Sequence, residues 1–239
     1  MNDSTKTKLI DRQEITDSTL EFHLERPSGF QYQAGQHINI KLSNLLFEDK
    51  KGPRRTFTLS SAPHEKALHV TTRLTGSGFK RTVLEGPLQE VEFIGPRGEL
   101  VLDEASPAVF IAGGIGITPF RSMVLDVLQR GVSQSMTLLY SNRHPNAAAY
   151  HDMFEILQQE HPQQFTYVPT MPELKEQKTE WQGETRLITG DFIRDYVTDL
   201  SRAIFYLCGP PNMVKSIQDL LESEGIDPPR IKSESFWGY

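Results

Sequence analysis

Cys208 is the single cysteine in this chain of 239 residues. That excludes an internal disulfide, and with it a four-cysteine iron–sulfur cluster or a cysteine zinc site built within the chain. Long apolar runs are missing too. No segment approaches the ~18 consecutive apolar residues of a membrane span. The polar start Met1-Asn-Asp-Ser-Thr-Lys-Thr-Lys8 has no apolar stretch behind it to act as an export signal, so a cytoplasmic protein without a membrane span is expected. Positive charge is scarce: 25 Lys and Arg against 31 Asp and Glu leave a net charge of −6, with no basic stripe, which argues against a nucleic-acid binder. The seven histidines, His144 and His151 among them, show no metal-ligand pattern backed by neighbouring carboxylates, and no metal is expected. There is neither an internal repeat nor a low-complexity tract.

What remains is an ordinary globular composition, 37% hydrophobic with 15 prolines and 17 glycines, at a length that suits two small domains. The first part alternates with period two. Leu20, Phe22 and Leu24, then Ile38, Ile40 and Leu42, then Leu68, Val70, Thr72 and Leu74 predict half-buried strands, punctuated by turns such as Lys51-Gly-Pro53 and Gly95-Pro-Arg-Gly98. Short strands before any long helix predict an antiparallel β-barrel over residues 1–103, with one helical insert starting near Ser77. Beyond Asp103 strands alternate with helices. Strands are predicted at Val109–Ala112, Thr137–Tyr140, Phe165–Val168 and Ala203–Cys208, and helices near 119–130, 147–158, 190–197 and 211–223. This pattern implies an α/β doubly wound parallel sheet over 104–239, with ligands at the carboxyl ends of its strands. Pro169–Gln182 reads as a polar, charged loop.

Three stretches carry chemistry. After Val109–Ala112 come Gly113, Gly114 and Gly116, then a helical stripe of Phe120, Met123, Val124, Val127 and Leu128 with Pro119 in its first turn. Strand, glycine turn and helix N-terminus together make a place for an anion or a flat ring, although a purely structural glycine turn fits the same residues. Arg55-Thr-Phe-Thr-Leu-Ser-Ser61 sets a guanidinium and an aromatic ring among hydroxyls on a strand; an edge strand with a polar face is the plainer reading. Thr75-Gly-Ser-Gly-Phe-Lys-Arg-Thr82 offers Ser77 as N-cap of a short helix that opens with Lys80 and Arg81. The last two stretches together suit a diphosphate, held by Arg55 on one side and by a helix N-terminus on the other. The tail Glu234-Ser-Phe-Trp-Gly-Tyr239 packs three aromatics into its last four residues and reads as a docked strand or a partner-binding patch.

In order and spacing, Arg55-Thr56-Phe57-Thr58, Gly76-Ser-Gly-Phe-Lys-Arg81, Gly95-Pro-Arg-Gly98, Gly113-Gly-Ile-Gly-Ile-Thr-Pro119, Cys208-Gly-Pro-Pro-Asn-Met213 and Glu234-Ser-Phe236 resemble the ferredoxin–NADP reductase superfamily over nearly the whole chain. The resemblance implies an FAD-binding barrel, 1–103, and an NAD(P)-binding domain, 104–239, with flavin and nicotinamide meeting at the cleft between them. Arg55 would pair with the flavin nucleotide phosphates beside Thr56. Phe57, where tyrosine is usual, would flank the flavin, and Thr58 would hydrogen-bond near N5. Backbone N–H groups of Gly78, Phe79 and Lys80 would take the pyrophosphate, which favours FAD over FMN, and Arg73 would touch the flavin nucleotide. Gly114, Gly116 and Thr118 would hold the nicotinamide nucleotide, with Cys208, Gly209 and Pro210 packed near the nicotinamide and the Cys208 thiol facing the cleft. Glu234 would assist proton balance, while Phe236, or the terminal Tyr239, would stack on the flavin. Thr58, Cys208, Glu234 and Phe236 make up the expected catalytic set.

NADPH or NADH stays open: Arg143 or Arg186 suits a 2′-phosphate, and Arg143 also fits an Asn-Arg-x-Pro turn common to both kinds of member. The expected activity is an NAD(P)H-dependent flavin oxidoreductase of ferredoxin or flavodoxin reductase type, without an iron–sulfur domain. Its electrons would pass to a separate ferredoxin, flavodoxin or oxygenase component. A ferric-chelate or free-flavin reductase, or a non-catalytic flavin-binding regulatory subunit, is the alternative.

Overall fold

The computed structural model describes residues 4–174 and 181–236. The chain divides into two compact units, Met1–Val101 with Thr118–Asp126, and Leu102–Ile117 with Val127–Tyr239.

In the first unit, β1 (Thr5–Thr16), β2 (Thr19–Glu25), β3 (His37–Leu42), β4 (Arg54–Thr58), β5 (Ala67–Arg73) and β6 (Glu90–Arg97) form one six-stranded antiparallel sheet in the order β4-β3-β6-β1-β2-β5. A single bridge between Leu59 and Val70 joins its two ends, so the sheet curls into a barrel. Period-two alternation drives this. Leu20, Phe22, Leu24, Ile38, Ile40, Leu42, Leu68 and Val70 turn inward, almost wholly buried, and meet Phe79 and Phe93 in one core. Truncating a ring such as Phe22 in that core would cost ~3–5 kcal/mol. The helical insert is α1 (Gly78–Glu85), capped by Ser77, whose hydroxyl accepts from the Lys80 N–H at 3.3 Å.

The second unit holds β7 (Ala108–Gly113), β8 (Met136–Ser141), β9 (Phe165–Thr170), β10 (Ile204–Gly209) and β11 (Ile231–Ser235), all parallel in the order β11-β10-β7-β8-β9. β7 and β10 are buried at every residue, as expected of strands covered on both faces. From β7 the chain moves outward through β8 to β9, then returns to β10 on the other side. The order therefore reverses between β7 and β10, where a parallel sheet opens its ligand crevice.

Helix α2 (Thr118–Arg130) carries the predicted stripe, with Phe120, Met123, Val124 and Val127 fully buried, and ends on left-handed Gly131. Helices α3 (His151–Glu160), α4 (Gly190–Tyr196) and α5 (Pro211–Ser223) complete the described helices. α3 begins four residues later than the pattern predicts, because Pro145–Ala147 forms a separate short turn and Tyr150 adopts a left-handed backbone just before the helix. The polar stretch 169–182 is not all loop: Pro169 and Thr170 finish β9, an edge strand where a missing N–H is tolerated, and Thr170 bridges to Glu184.

Candidate functional site

The N-terminus of α1 is gripped by a carboxylate. Asp49, from the β3–β4 loop and only 5% exposed at its side chain, accepts from the Phe79 N–H at 2.8 Å, from the Lys51 N–H at 2.9 Å and from Arg55 Nη2. Burial works against its charge, but the Phe79 and Lys51 N–H groups and the Arg55 guanidinium outweigh it, holding the carboxyl below its ordinary range. Arg55 also donates to the Gly52 carbonyl at 2.9 Å and lies over the Phe79 ring at 5.4 Å. Lys80 is buried, donates to Thr75 Oγ1 at 3.2 Å, and is drawn down to about 8 by burial and by the neighbouring Arg55 and Lys51. Gly78 is glycine of necessity, since a Cβ there would lie 2.3 Å from the Glu48 carbonyl and 2.5 Å from that of Phe47. The Arg55 guanidinium, the buried Lys80, the Lys51 N–H and a helix N-terminus thus gather at one negative charge.

Strand β4 supplies the next residues. Thr56 is exposed and its hydroxyl accepts from Asn39 Nδ2 at 2.9 Å. Phe57 is half-buried, edge-on to Phe22 at 5.7 Å and tilted against Phe79 at the same distance. Thr58 is buried at 5%, and its Oγ1 makes no hydrogen bond among the described residues. Arg73 is anchored elsewhere, donating to Asp17 O at 3.2 Å and Thr19 Oγ1 at 3.1 Å in the β1–β2 turn.

In the second unit the crevice end of the sheet collects Gly114, Gly116, Cys208, Gly209, Pro210, Glu234 and Phe236. Gly116 lies directly against β10: a Cβ there would sit 2.1 Å from the Cys208 carbonyl, so no other residue lets the turn cross the strand end. Cys208 is paired in register with Ala112 on one side and Glu234 on the other. Its thiol is buried, and burial, with Glu234 adding to it, pushes it well above the ordinary thiol range. Burial likewise raises Glu234. The Phe236 N–H donates to the Gly209 carbonyl at 3.0 Å, tying the tail to the Cys-Gly-Pro turn. Trp237, Gly238 and Tyr239, and with them the choice between Phe236 and Tyr239, lie outside the described residues. Thr118 opens α2 and is buried.

Both candidate 2′-phosphate ligands already face carboxylates, Arg143 with Glu173 at 3.2 Å and Arg186 with Glu184 and Asp195. Just beyond β8, Asn142 is 6% exposed, and neither its amide nitrogen nor its oxygen finds a partner among the described residues.

Residues 110–219 match the Oxidoreductase NAD-binding domain family. The chain is 32% identical over 212 residues to the reductase component DmpP of phenol 2-monooxygenase from Pseudomonas sp. (strain CF600), covering 82% of this chain and 54% of that protein. In structure it resembles the ferredoxin NADP+ reductase of Neisseria gonorrhoeae, solved with bound FAD and NADP, at a TM-score of 0.79 and 20% identity, covering 97% of this chain and 98% of that one. The FAD/NAD-binding domain of a nitric oxide dioxygenase from Vibrio cholerae gives a TM-score of 0.80 at 18% identity, with 97% and 98% covered. At 20% and 18% identity, the likeness to these two structures is one of fold. This chain spans about half the length of the curated relatives it matches.

Two residues of the site escaped the sequence reading. Asp49 was signalled only by Asp49-Lys-Lys-Gly-Pro-Arg-Arg55, an acid six residues before the arginine on a loop tight enough to fold back. Asn142 gave no signal, because an asparagine after a strand reads as a turn residue. The donors around Asp49 suit a diphosphate: they already hold one anion and carry more positive charge than it cancels. The orphaned Thr58 hydroxyl suits a polar ring atom, since a buried hydroxyl without a partner calls for an explanation.

Proposed function

We propose that the chain is an FAD-dependent oxidoreductase that takes hydride from NADPH or NADH and passes electrons to a separate acceptor protein, a ferredoxin, a flavodoxin or an oxygenase component. Residues 1–103 serve FAD and residues 104–239 serve NAD(P)H, in the cytoplasm. The observation that carries the reading is the anion cradle of Arg55, Lys80, the Lys51 N–H and the α1 N-terminus, with Arg55 on the strand that also bears the unpartnered Thr58 hydroxyl. FAD, when bound, supplies the two-electron acceptance of hydride and its release in single-electron steps. The protein supplies position and charge.

Arg55 and the Gly78, Phe79 and Lys80 segment hold the diphosphate, with Thr56 and Arg73 flanking the nucleotide. Phe57 borders the ring system, and Thr58 Oγ1 offers a hydrogen bond near the hydride-accepting nitrogen. Gly114, Gly116 and Thr118 admit the nicotinamide nucleotide, Asn142 and Arg143 its far end, and Cys208, Gly209 and Pro210 shape the nicotinamide pocket. Phe236 covers the face that nicotinamide must occupy. Glu234, its carboxyl raised by burial, assists proton balance. The phenol 2-monooxygenase reductase component among the relatives supports an oxygenase partner. An anaerobic absorption spectrum, titrated with NADPH and separately with NADH, tests all of this. A yellow protein bleached by one nucleotide supports the reading and picks the donor; a colourless protein that cannot take up FAD overturns it.

A further inference from the structure

On the outer face of the barrel, β2 and β5 bring together three ligand-type side chains, two from β2 and one from β5. Leu20, Phe22 and Leu24 point into the core, so Glu21 and His23 point out, and the β2–β5 register sets His23 directly opposite His69. The two imidazoles stack with centroids 3.9 Å apart and planes 13° apart. Glu21 Oε1 lies 2.9 Å from His23 Nε2, and one ligand atom from each of the three residues falls within 4.8 Å of the others. Glu21 is buried, with a side chain 6% exposed, whereas His23 at 18% and His69 at 17% keep an edge toward solvent.

The surroundings match a metal centre in two ways. First, each imidazole has a carboxylate beside its Nδ1, Asp11 at 3.8 Å from His23 and Glu65 at 3.7 Å from His69. Such second carboxylates fix the ring orientation of metal-bound histidines. His69 Nδ1 is buried and makes no hydrogen bond. Second, three carboxylates, Asp11, Glu21 and Glu65, and one guanidinium, Arg121, set the charge around the rings. Arg121 is spent on Glu65, at 2.9 and 3.2 Å, and on the Ser60 carbonyl at 2.7 Å. Carboxylates outnumber the guanidinium beside the two imidazoles.

We propose that Glu21, His23 and His69 form a binding site for a divalent transition-metal ion of the zinc class, clipping β2 to β5. Two imidazoles and one carboxylate are the donor set of Zn2+ and its borderline neighbours; Mg2+ and Ca2+ need more oxygens than this site provides. Zinc at ~2.0–2.1 Å from both nitrogens requires the imidazoles to turn out of their parallel stack, and the solvent edge leaves a fourth position for water. No local spacing shows the site, because His69 joins Glu21 and His23 only through strand pairing.

The test uses the untagged full chain, chelator-treated, titrated with ZnCl2 by calorimetry and with Co2+ by absorption. One equivalent binds to the wild type, with a Co2+ d–d band and a raised melting temperature. His23→Gln and His69→Gln each abolish that equivalent, and Asp11→Asn weakens it ~10–100-fold, as loss of an orienting carboxylate does. His151→Gln is the control: His151, Asp152 and Glu155 form the other described cluster, on the surface of α3, and its loss leaves the equivalent in place. Melting in chelator checks that each variant is folded. The proposal is overturned if the wild type binds no Zn2+, if the equivalent survives in His23→Gln and His69→Gln, or if it vanishes in His151→Gln instead.

Discussion

Replacing Asp49 by asparagine separates two properties that usually move together, stability and ligand affinity. The amide keeps the shape and still accepts from the Phe79 N–H, but removes the charge that Arg55 and the α1 N-terminus now hold. An acid at a helix N-terminus is worth ~0.3–1 kcal/mol, and a charge-assisted bond is about twice as strong as a neutral one, so the variant should lose ~1–2 kcal/mol of stability at pH 7. The sign of the pH dependence is fixed. The Asp49 carboxyl is depressed in the folded chain, so its contribution is present above the unfolded value of ~3.9 and is lost as pH falls through the folded value. Wild type and variant should therefore converge in acid.

Affinity for FAD should move the other way. Arg55 is released from an internal carboxylate, and a repelling charge leaves the cradle. A charge-assisted bond to phosphate is worth ~1.5–3 kcal/mol, of which Asp49 now absorbs part, so FAD should bind ~1–2 kcal/mol tighter, about 5- to 30-fold in Kd. Arg55→Ala should weaken it instead by the full ~1.5–3 kcal/mol. Flavin fluorescence quenching on the deflavinated protein gives both constants, and urea unfolding gives the stability. Weaker or unchanged FAD binding in Asp49→Asn would refute the claim that the loop carboxylate stands where a phosphate belongs.

Thr58→Val removes a hydroxyl that makes no bond within the described chain, so the melting temperature should hold while anaerobic stopped-flow shows flavin reduction slowed ~10-fold or more; equal rates would remove Thr58 from the site. Asn142→Leu similarly costs no internal hydrogen bond, and should raise KM for the nicotinamide nucleotide with little change in stability or FAD content; an unchanged KM would leave the buried amide without a role. Phe236→Ser should strengthen the nicotinamide difference spectrum, because a ring stack of ~0.5–1.5 kcal/mol no longer has to be displaced, and an unaltered spectrum counts against stacking. The Cys208 thiol, buried and held protonated, should resist iodoacetamide at pH 8 until the chain unfolds; rapid labelling of the native protein by mass spectrometry would contradict its burial.

The parts of the fold legible in the sequence are those whose side chains repeat the period of their element. β2, β3, β5 and the stripe of α2 are visible because one face of each is apolar and buried. β1 was not, since Thr5–Thr16 is mostly charged and polar, with only Thr7 and Leu9 buried, and it is held in the sheet by its neighbours. β6 has the same character at Glu90 and Glu92 and carries little pattern of its own. At the site, glycine turns and caps are local events, so Ser77, Gly78 and Gly116 could be picked out in order. Asp49 and the Glu21, His23 and His69 cluster depend on a loop folding back and on strand register, which a linear pattern does not encode.

The barrel is closed by one bridge, Leu59 to Val70, and β4 is its outermost strand, paired in full only with β3. The strand that bears Arg55, Thr56, Phe57 and Thr58 therefore lies at the seam, where opening is least costly. Amide deuterium uptake should be faster along 54–60 than along β2, which has a partner on each side, and loading the cradle should slow it there more than elsewhere. The looseness of that edge would give a bulky dinucleotide a way in, and the seated ligand would then be the missing stitch of the barrel.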